Sequence, residues 1–211
     1  MIQLSVSAAC SYVRKELDEL VSVEEIGMIA SPDALDLHRL VERAMEEAVT
    51  KIHNSAPAYL LDGVVGKKGE DFSVSAQGGV VTITMLKDTL RMLSVLQEDS
   101  NIVVTEFIPE DSPEGRMQLN EYTRGVPDDP RVVMCKIKAD NYKPILKYYT
   151  GESDEVSVSY VPQPVLEESI VSICPRLEYA VLNEITAMVL DCLNEKDTAA
   201  TYRTKVAEYL T

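Results

Sequence analysis

The spacing of apolar residues predicts a helix at the start of the chain and further helices near its end. Val6, Cys10 and Val13 recur every three or four residues, which is the period of a helix that buries one face. The same period returns in a later apolar run that ends at Cys192, and a last helix is predicted from Thr198 to Leu210. The later run contains Ile170, Ile173, Cys174, Leu177, Ala180, Val181, Ile185, Met188 and Val189.

A second helix carries clear start and stop signals. Ser31 is placed as its N-cap and Pro32 at its first helical position, while Pro57 prevents its continuation. The helix is therefore predicted from Pro32 to Asn54. Its apolar stripe consists of Leu37, Leu40, Val41, Ala44, Met45, Ala48 and Ile52.

The middle of the chain has the alternating pattern of β-strands. The turn residues Gln77-Gly78-Gly79 join two alternating segments, which predicts a hairpin. Ile145–Tyr149 is predicted to pair with Val156–Val161 across residues 151–154, so that the middle of the chain forms a small antiparallel sheet. The other predicted strands are residues 71–76, 80–85, 89–96, 102–108 and 131–138.

This order of helices, sheet and helices predicts an α+β fold, in which a bundle of N- and C-terminal helices carries an inserted antiparallel β-sheet. The helical body is expected at residues 1–62 and 163–211, and the β-rich insert at residues 63–162. A length of 211 residues fits one domain with a sizeable insert.

Residues 109–130 interrupt the predicted sheet as an exposed excursion with four prolines, two glycines and weak helical character at 114–123. A segment of this kind that carries apolar and aromatic side chains has little reason to exist on a monomer. We therefore expect it to contact a neighbouring subunit or another protein. The predicted partner-binding residues are Arg116, Met117, Leu119, Tyr122 and Arg124.

Charge and composition limit the possible partners. With 20 Lys and Arg against 35 Asp and Glu, the net charge is −15, which disfavours phosphate binding but suits the wall of a channel that must not bind what passes through it. The apolar runs are too short to cross a membrane, and the N-terminus lacks the pattern of a secretory signal. The four cysteines have no Cys-x-x-Cys spacing and are expected as buried thiols in a reducing compartment.

The sequence offers little catalytic chemistry. His38 and Glu42 lie one helical turn apart, but two groups cannot close a zinc site, so we interpret them as part of a solvated helix face. His53, near a helix C-terminus where imidazolium is favoured, is likewise interpreted as a structural residue and not as a ligand. The glycines at 63 and 66 before Lys67 are too closely spaced for a phosphate loop. We expect no metal, no cofactor and no catalysis, and the enzyme alternative is a metal-dependent hydrolase that uses His38.

One cluster could contact nucleic acid, because tyrosines lie there among lysines. The ordinary preference of strands for Tyr, and the protection of sheet edges by Lys, explain it better. The cluster consists of Tyr142, Tyr148 and Tyr149 with Lys138, Lys143 and Lys147.

Three segments resemble, in the same order, the head-to-tail adaptor or ring proteins of short-tailed phages, particularly the crAss-like phages of gut bacteria. Glu46–Asp62 is similar to the end of their long helix, with Ala-Pro-Ala-Tyr-Leu-Leu where that family has Ala-Pro-x-x-Leu-Leu. Leu86–Asp99 resembles the strand after their hairpin. Leu146–Thr150 and Val158–Pro164 resemble their last hairpin and the entry to the C-terminal helices.

The resemblance implies a virion structural protein that forms a ring, typically twelvefold, in the phage neck between portal and tail proteins. Genomic DNA would pass through the ring without specific binding, and the protein would be in the host cytoplasm during assembly. Its partners would be further copies of itself, the portal protein and other neck or tail proteins, with no role for a membrane. A cytosolic protein-interaction module outside the virion is the alternative that the sequence leaves open.

Overall fold

A computed structural model describes residues 1–21, 37–97, 102–126, 128–135, 143–149, 153 and 155–211. These residues form an α+β fold, as predicted. The helices are α1 (Val6–Val21), α2 (Leu37–Ser55), α3 (Pro113–Met117), α4 (Glu178–Cys192) and α5 (Lys196–Tyr209). The strands are β1 (Ile2–Ser5), β2 (Val64–Val65), β3 (Phe72–Gln77), β4 (Val80–Met85), β5 (Thr89–Gln97), β6 (Val103–Val104), β7 (Phe107–Pro109), β8 (Arg131–Cys135), β9 (Ile145–Tyr149), β10 (Val156–Pro162) and β11 (Ile170–Ile173).

The chain divides into two compact units. The helical unit contains Met1–Asp62 and Pro164–Thr211, and the sheet unit contains Gly63–Gln163. Each unit has its own buried apolar residues. No helix within the described residues has both the length and the apolar composition needed to cross a membrane.

Helix α4 is the centre of the helical unit, where α1, α2 and α5 all pack against it. Nearly every residue from Ala180 to Leu190 is buried, including the polar Asn183, Glu184 and Thr186, because three helices pack around this segment. Helix α2 instead buries one stripe that includes Val41, Met45 and Ile52, in agreement with its amphipathic sequence. The predicted start of α2 at Ser31 and Pro32 lies outside the described residues.

The helical prediction for the segment after residue 164 is partly wrong. Ile170–Ile173 is strand β11, which pairs antiparallel with β1 at the start of the chain. The β-branched Ile170, Val171 and Ile173 favour a strand, and Pro175 delays the helix, which begins only at Glu178. A short apolar run of this kind fits the period of a helix and that of a buried strand, so the spacing of the residues does not distinguish a helix from a strand.

The sheet unit contains two sheets and not the single sheet that was predicted. One has the order β2-β10-β5-β6, and the other has the order β3-β4-β9-β8-β7. All neighbouring strands are antiparallel except β7 and β8. Apolar side chains from both sheets form one core, which includes Phe72, Ile83, Val95, Leu146, Tyr148 and Val158.

Two strand predictions are corrected by this arrangement. The predicted pairing of Ile145–Tyr149 with Val156–Val161 is wrong, because β9 pairs with β4 and β8 while β10 pairs with β5 and β2. The predicted strand at residues 102–108 is divided into β6 and β7, which belong to different sheets. The hairpin of β3 and β4 is confirmed, with positive φ angles at Gly78 and Gly79.

Candidate interaction surface

The excursion at residues 109–130 begins with a capped turn of helix. The Ser112 hydroxyl accepts a hydrogen bond from the Gly115 amide at 3.0 Å, and Pro113 occupies the first turn of α3. These residues form α3 because the cap satisfies a free helical N–H and proline fixes the first φ angle. The excursion therefore starts with a defined direction.

Buried Gln118 links α3 to Gly125 in the second half of the excursion. Its Oε1 accepts the Gly125 amide proton at 2.8 Å, and its Nε2 donates to the Glu114 carbonyl oxygen at 3.3 Å. The Thr123 hydroxyl donates to the Met117 carbonyl oxygen at 2.6 Å. Because the bonds of Gln118 to Gly125 and of Thr123 to Met117 connect α3 with the residues that follow it, the excursion has an internal hydrogen-bonded frame.

This frame leaves apolar side chains in solvent, as the sequence predicted for an exposed excursion. Met117 is 52% exposed, Leu119 73% and Tyr122 95%. Val126, which was not among the predicted partner-binding residues, is 55% exposed. Large apolar groups held in water on a fixed backbone are typical of a surface that another protein covers.

The two predicted arginines have different environments. Arg116 is exposed on α3 and lines a shallow groove with Met117 and Thr123. Arg124 is half-buried, and its guanidinium group lies beside the turn at Gly79. Arg116 is therefore available to a partner, whereas Arg124 also packs on the β3–β4 hairpin.

Gly115 is required at its position by a close backbone contact. A Cβ atom there would lie 2.3 Å from the Pro109 carbonyl oxygen, far inside the van der Waals distance. We expect Gly115→Ala to displace α3 and to reduce the free energy of unfolding by about 1–3 kcal/mol. Glu114→Ala on the exposed side of the same helix is the control, and denaturation of both variants is the measurement. Equal stabilities would contradict the expectation.

The described residues contain no group of three or more His, Cys, Asp or Glu side chains placed to hold a metal ion. His38 is exposed and Glu42 half-buried on α2, as expected for a helix face. We expect His38→Ala and Glu42→Ala to fold and assemble like the parent protein, because two ligands do not hold a metal. Elemental analysis is the measurement, and stoichiometric metal that either variant loses would contradict the expectation.

The expectation that an imidazolium is favoured at His53 is wrong. The ring is fully buried, with Nδ1 3.0 Å from the Val49 carbonyl oxygen, and Nε2 accepts the Cys174 amide proton at 3.1 Å. The acceptor role of Nε2 places the proton of the neutral ring on Nδ1, which donates to Val49. Burial lowers the pKa of His53 and outweighs the hydrogen bond to the Val49 carbonyl oxygen, which by itself would raise this pKa.

The lowered pKa of His53 predicts lower stability in acid. The unfolded chain binds a proton near pH 6.5 that the folded chain does not bind, so the free energy of unfolding falls as the pH drops below this value. We expect the parent protein to lose about 1 kcal/mol more than His53→Leu for one pH unit below 6.5. The carboxylates contribute equally to the pH dependence of both proteins, so their contribution cancels in the difference between parent and variant. Parallel slopes in denaturation experiments would contradict the prediction.

The cysteine prediction is only partly correct. Cys135 and Cys174 are buried free thiols, but Cys10 is half-buried and Cys192, the last residue of α4, is exposed. Burial raises the pKa of the Cys10, Cys135 and Cys174 thiols, which disfavours the thiolate that a nucleophile needs.

Two tyrosines of the tyrosine and lysine cluster are buried in the sheet unit. Tyr148 and Tyr149 are buried on β9, and Lys147 lies 3.3 Å from Glu110 Oε1 at the base of the excursion. These positions agree with the preference of strands for Tyr and leave these two rings unavailable for base stacking. Lys138 and Tyr142 lie outside the described residues.

The role of Gln118, which organises the excursion, could not be predicted from the sequence. No sequence pattern marks this side chain, because its contacts with Glu114 and Gly125 form only when the loop folds.

Comparison with known proteins found no family that matches the chain and no match among curated proteins.

Proposed function

We propose that this chain is a virion structural protein that forms a ring, twelvefold by resemblance, in the neck of a short-tailed phage. The ring would lie between the portal and tail proteins around the DNA passage. One observation supports the assembly role most directly: the hydrogen-bonded frame of the excursion holds Leu119 and Tyr122 in solvent. The assignment to the phage neck rests on the resemblance of segments within residues 46–62, 86–99 and 146–164 to head-to-tail adaptor or ring proteins.

The partners in this proposal are neighbouring copies of the chain, the portal protein and other neck or tail proteins. The net charge of −15 suits a passage through which DNA moves without binding. The excursion would supply the contact to a neighbouring copy or to the next component. No membrane takes part in this assembly.

The experiment that tests the phage assignment is mass spectrometry of purified particles, combined with copurification of the chain with a portal protein. Presence at a fixed copy number per particle would support the proposal. Absence from particles, together with capture of a non-virion partner through the excursion, would favour the second candidate. That candidate is a protein-interaction module outside the virion, and the same exposed side chains favour it.

A further inference from the structure

Strand β3 forms one edge of the five-stranded sheet, and its outer backbone groups can be assigned. The Asp71 backbone carbonyl oxygen accepts the Leu86 amide proton at 2.8 Å, and Gln77 lies opposite Val80 in the same register. The backbone N–H and C=O groups of the odd-numbered residues of β3 therefore point towards β4. The Phe72 carbonyl oxygen accepts from Gly69 on the other side. The N–H and C=O groups of Val74 and Ala76 therefore point away from the sheet, and in the described part of the chain no backbone group pairs with them there.

This edge lacks the usual protection against strand pairing. Natural proteins blunt exposed edges with proline, lysine or a bulge. Residues 73–77 contain no proline and no charged side chain, and β3 pairs with β4 without a register shift. The opposite edge of the sheet, β7, has three residues and ends at Pro109, which has no N–H to donate.

The edge is also a place where two copies of an acidic chain can meet. Each copy carries a charge of −15, so most contacts between copies bring like charges together. Glu70 and Asp71 precede β3, and each has a cationic neighbour: Lys67 at 3.6 Å from Glu70 and Lys87 at 2.5 Å from Asp71. Two copies that meet through the uncharged strand β3, next to the ion-paired Glu70 and Asp71, therefore avoid the like-charge repulsion that acts at other contacts between them.

We propose that β3 pairs antiparallel with β3 of a second copy about a two-fold axis, which joins the two five-stranded sheets. The register follows from the neighbours of Phe72. Residues 68 and 69 already pair with Phe72, so a partner strand has free backbone groups only at Val74 and Ala76. Val74 of one copy opposite Ala76 of the other exchanges backbone hydrogen bonds at both positions.

This register keeps the side chains on matching faces. Phe72, Val74 and Ala76 lie on one face, and the polar residues at 73, 75 and 77 lie on the other. Ser75 then faces Ser75 of the second copy as a non-hydrogen-bonded pair, with Cα atoms about 4.5 Å apart. The contact is isologous, unlike the rotation-related contacts that close a ring, and it does not rest on the proposed function.

Disulfide trapping tests this register in the full chain, in a Cys192→Ser background that removes the exposed thiol. Ser75 and Ser73 are both exposed on the same face of β3, so Ser73→Cys is a matched control for Ser75→Cys. In the proposed pair, two residues at position 75 are within disulfide range, whereas two residues at position 73 are roughly 13 Å apart. We expect covalent dimers of Ser75→Cys to form at least about tenfold faster. Equal rates, or faster linkage through position 73, would overturn the proposal.

A second measurement follows the dimer without a cross-link. Ala76→Pro removes an outward N–H and leaves the hydrogen bonds to β4 intact, whereas Ala76→Ser keeps that N–H. Sedimentation equilibrium over a concentration series should show a weak dimer for the parent and for Ala76→Ser, and a loss of dimer for Ala76→Pro. Circular dichroism checks the fold of each variant. The absence of a parent dimer at every concentration, or an unchanged dimer in folded Ala76→Pro, would refute the pairing.

Discussion

Replacing Leu119 and Tyr122 with serine is expected to abolish assembly while the subunit stays folded. Both side chains are mostly in solvent, at 73% and 95% exposure, so the subunit itself gains little from them. Burying such a side chain in an interface contributes about 1.5–3 kcal/mol. The two changes should therefore weaken each contact by at least about a hundredfold.

The effect on a ring is larger than the effect on one contact, because every contact in a closed ring is weakened. Val165→Ser is the matched control, since Val165 is 54% exposed in the helical unit. Deletion of residues 111–125 should give the same loss, because it removes the apolar side chains together with the frame that holds them. Electron microscopy with a portal protein measures assembly, and circular dichroism measures folding. Rings that form unchanged from the Leu119 and Tyr122 variant would disprove the role of the excursion.

The sequence was sufficient to predict the elements whose signals are local. Helix α1, the β3–β4 hairpin and helix α5 follow from the period of their apolar residues and from the Gly78-Gly79 turn, and all three are in the structure. The exposure of Met117, Leu119 and Tyr122 was also predictable, because proline and glycine around them mark a loop at the surface.

Long-range pairing was not predictable from the same signals. Strands β9 and β10 are neighbours in sequence, but the core places them in different sheets, and no local residue encodes that choice. Strand β11 has an apolar run that fits a helix equally well, and its partner β1 is at the other end of the chain. The buried state of His53 also depends on a distant group, the amide of Cys174.

The net charge gives the second large expected effect, a dependence of ring formation on salt and on the portal. With −15 per subunit, a ring would carry on the order of a hundred or more negative charges, and their mutual repulsion opposes closure. Salt relieves this repulsion because the Debye length is about 8 Å at physiological ionic strength. Free subunits in dilute low-salt buffer should therefore form no rings.

A portal surface would change this balance by acting as a template. Subunits bound side by side on the portal meet at a high effective concentration, so each new contact becomes a local event. Rings should then form on portal assemblies or at high salt. Sedimentation velocity from low to high salt, with and without portal, measures this directly. A dimer formed through β3 sediments as two subunits, so this measurement distinguishes it from a ring.

The same charge predicts negligible affinity for free duplex DNA, because few lysines and arginines are available to release counterions from phosphates. A gel-shift experiment at low salt, where phosphate contacts are strongest, is the most demanding measurement. Lys138, Lys143 and Lys147 are the residues to replace if binding is seen, because Lys147 lies within β9 beside Tyr148 and the other two precede that strand in the sequence. Tight, salt-sensitive DNA binding that the replacement of these lysines removes would refute the proposal of a non-adhesive passage.

Stable rings in dilute low-salt buffer without portal would refute the proposed templating of ring assembly, because the subunit contacts alone would then overcome the repulsion.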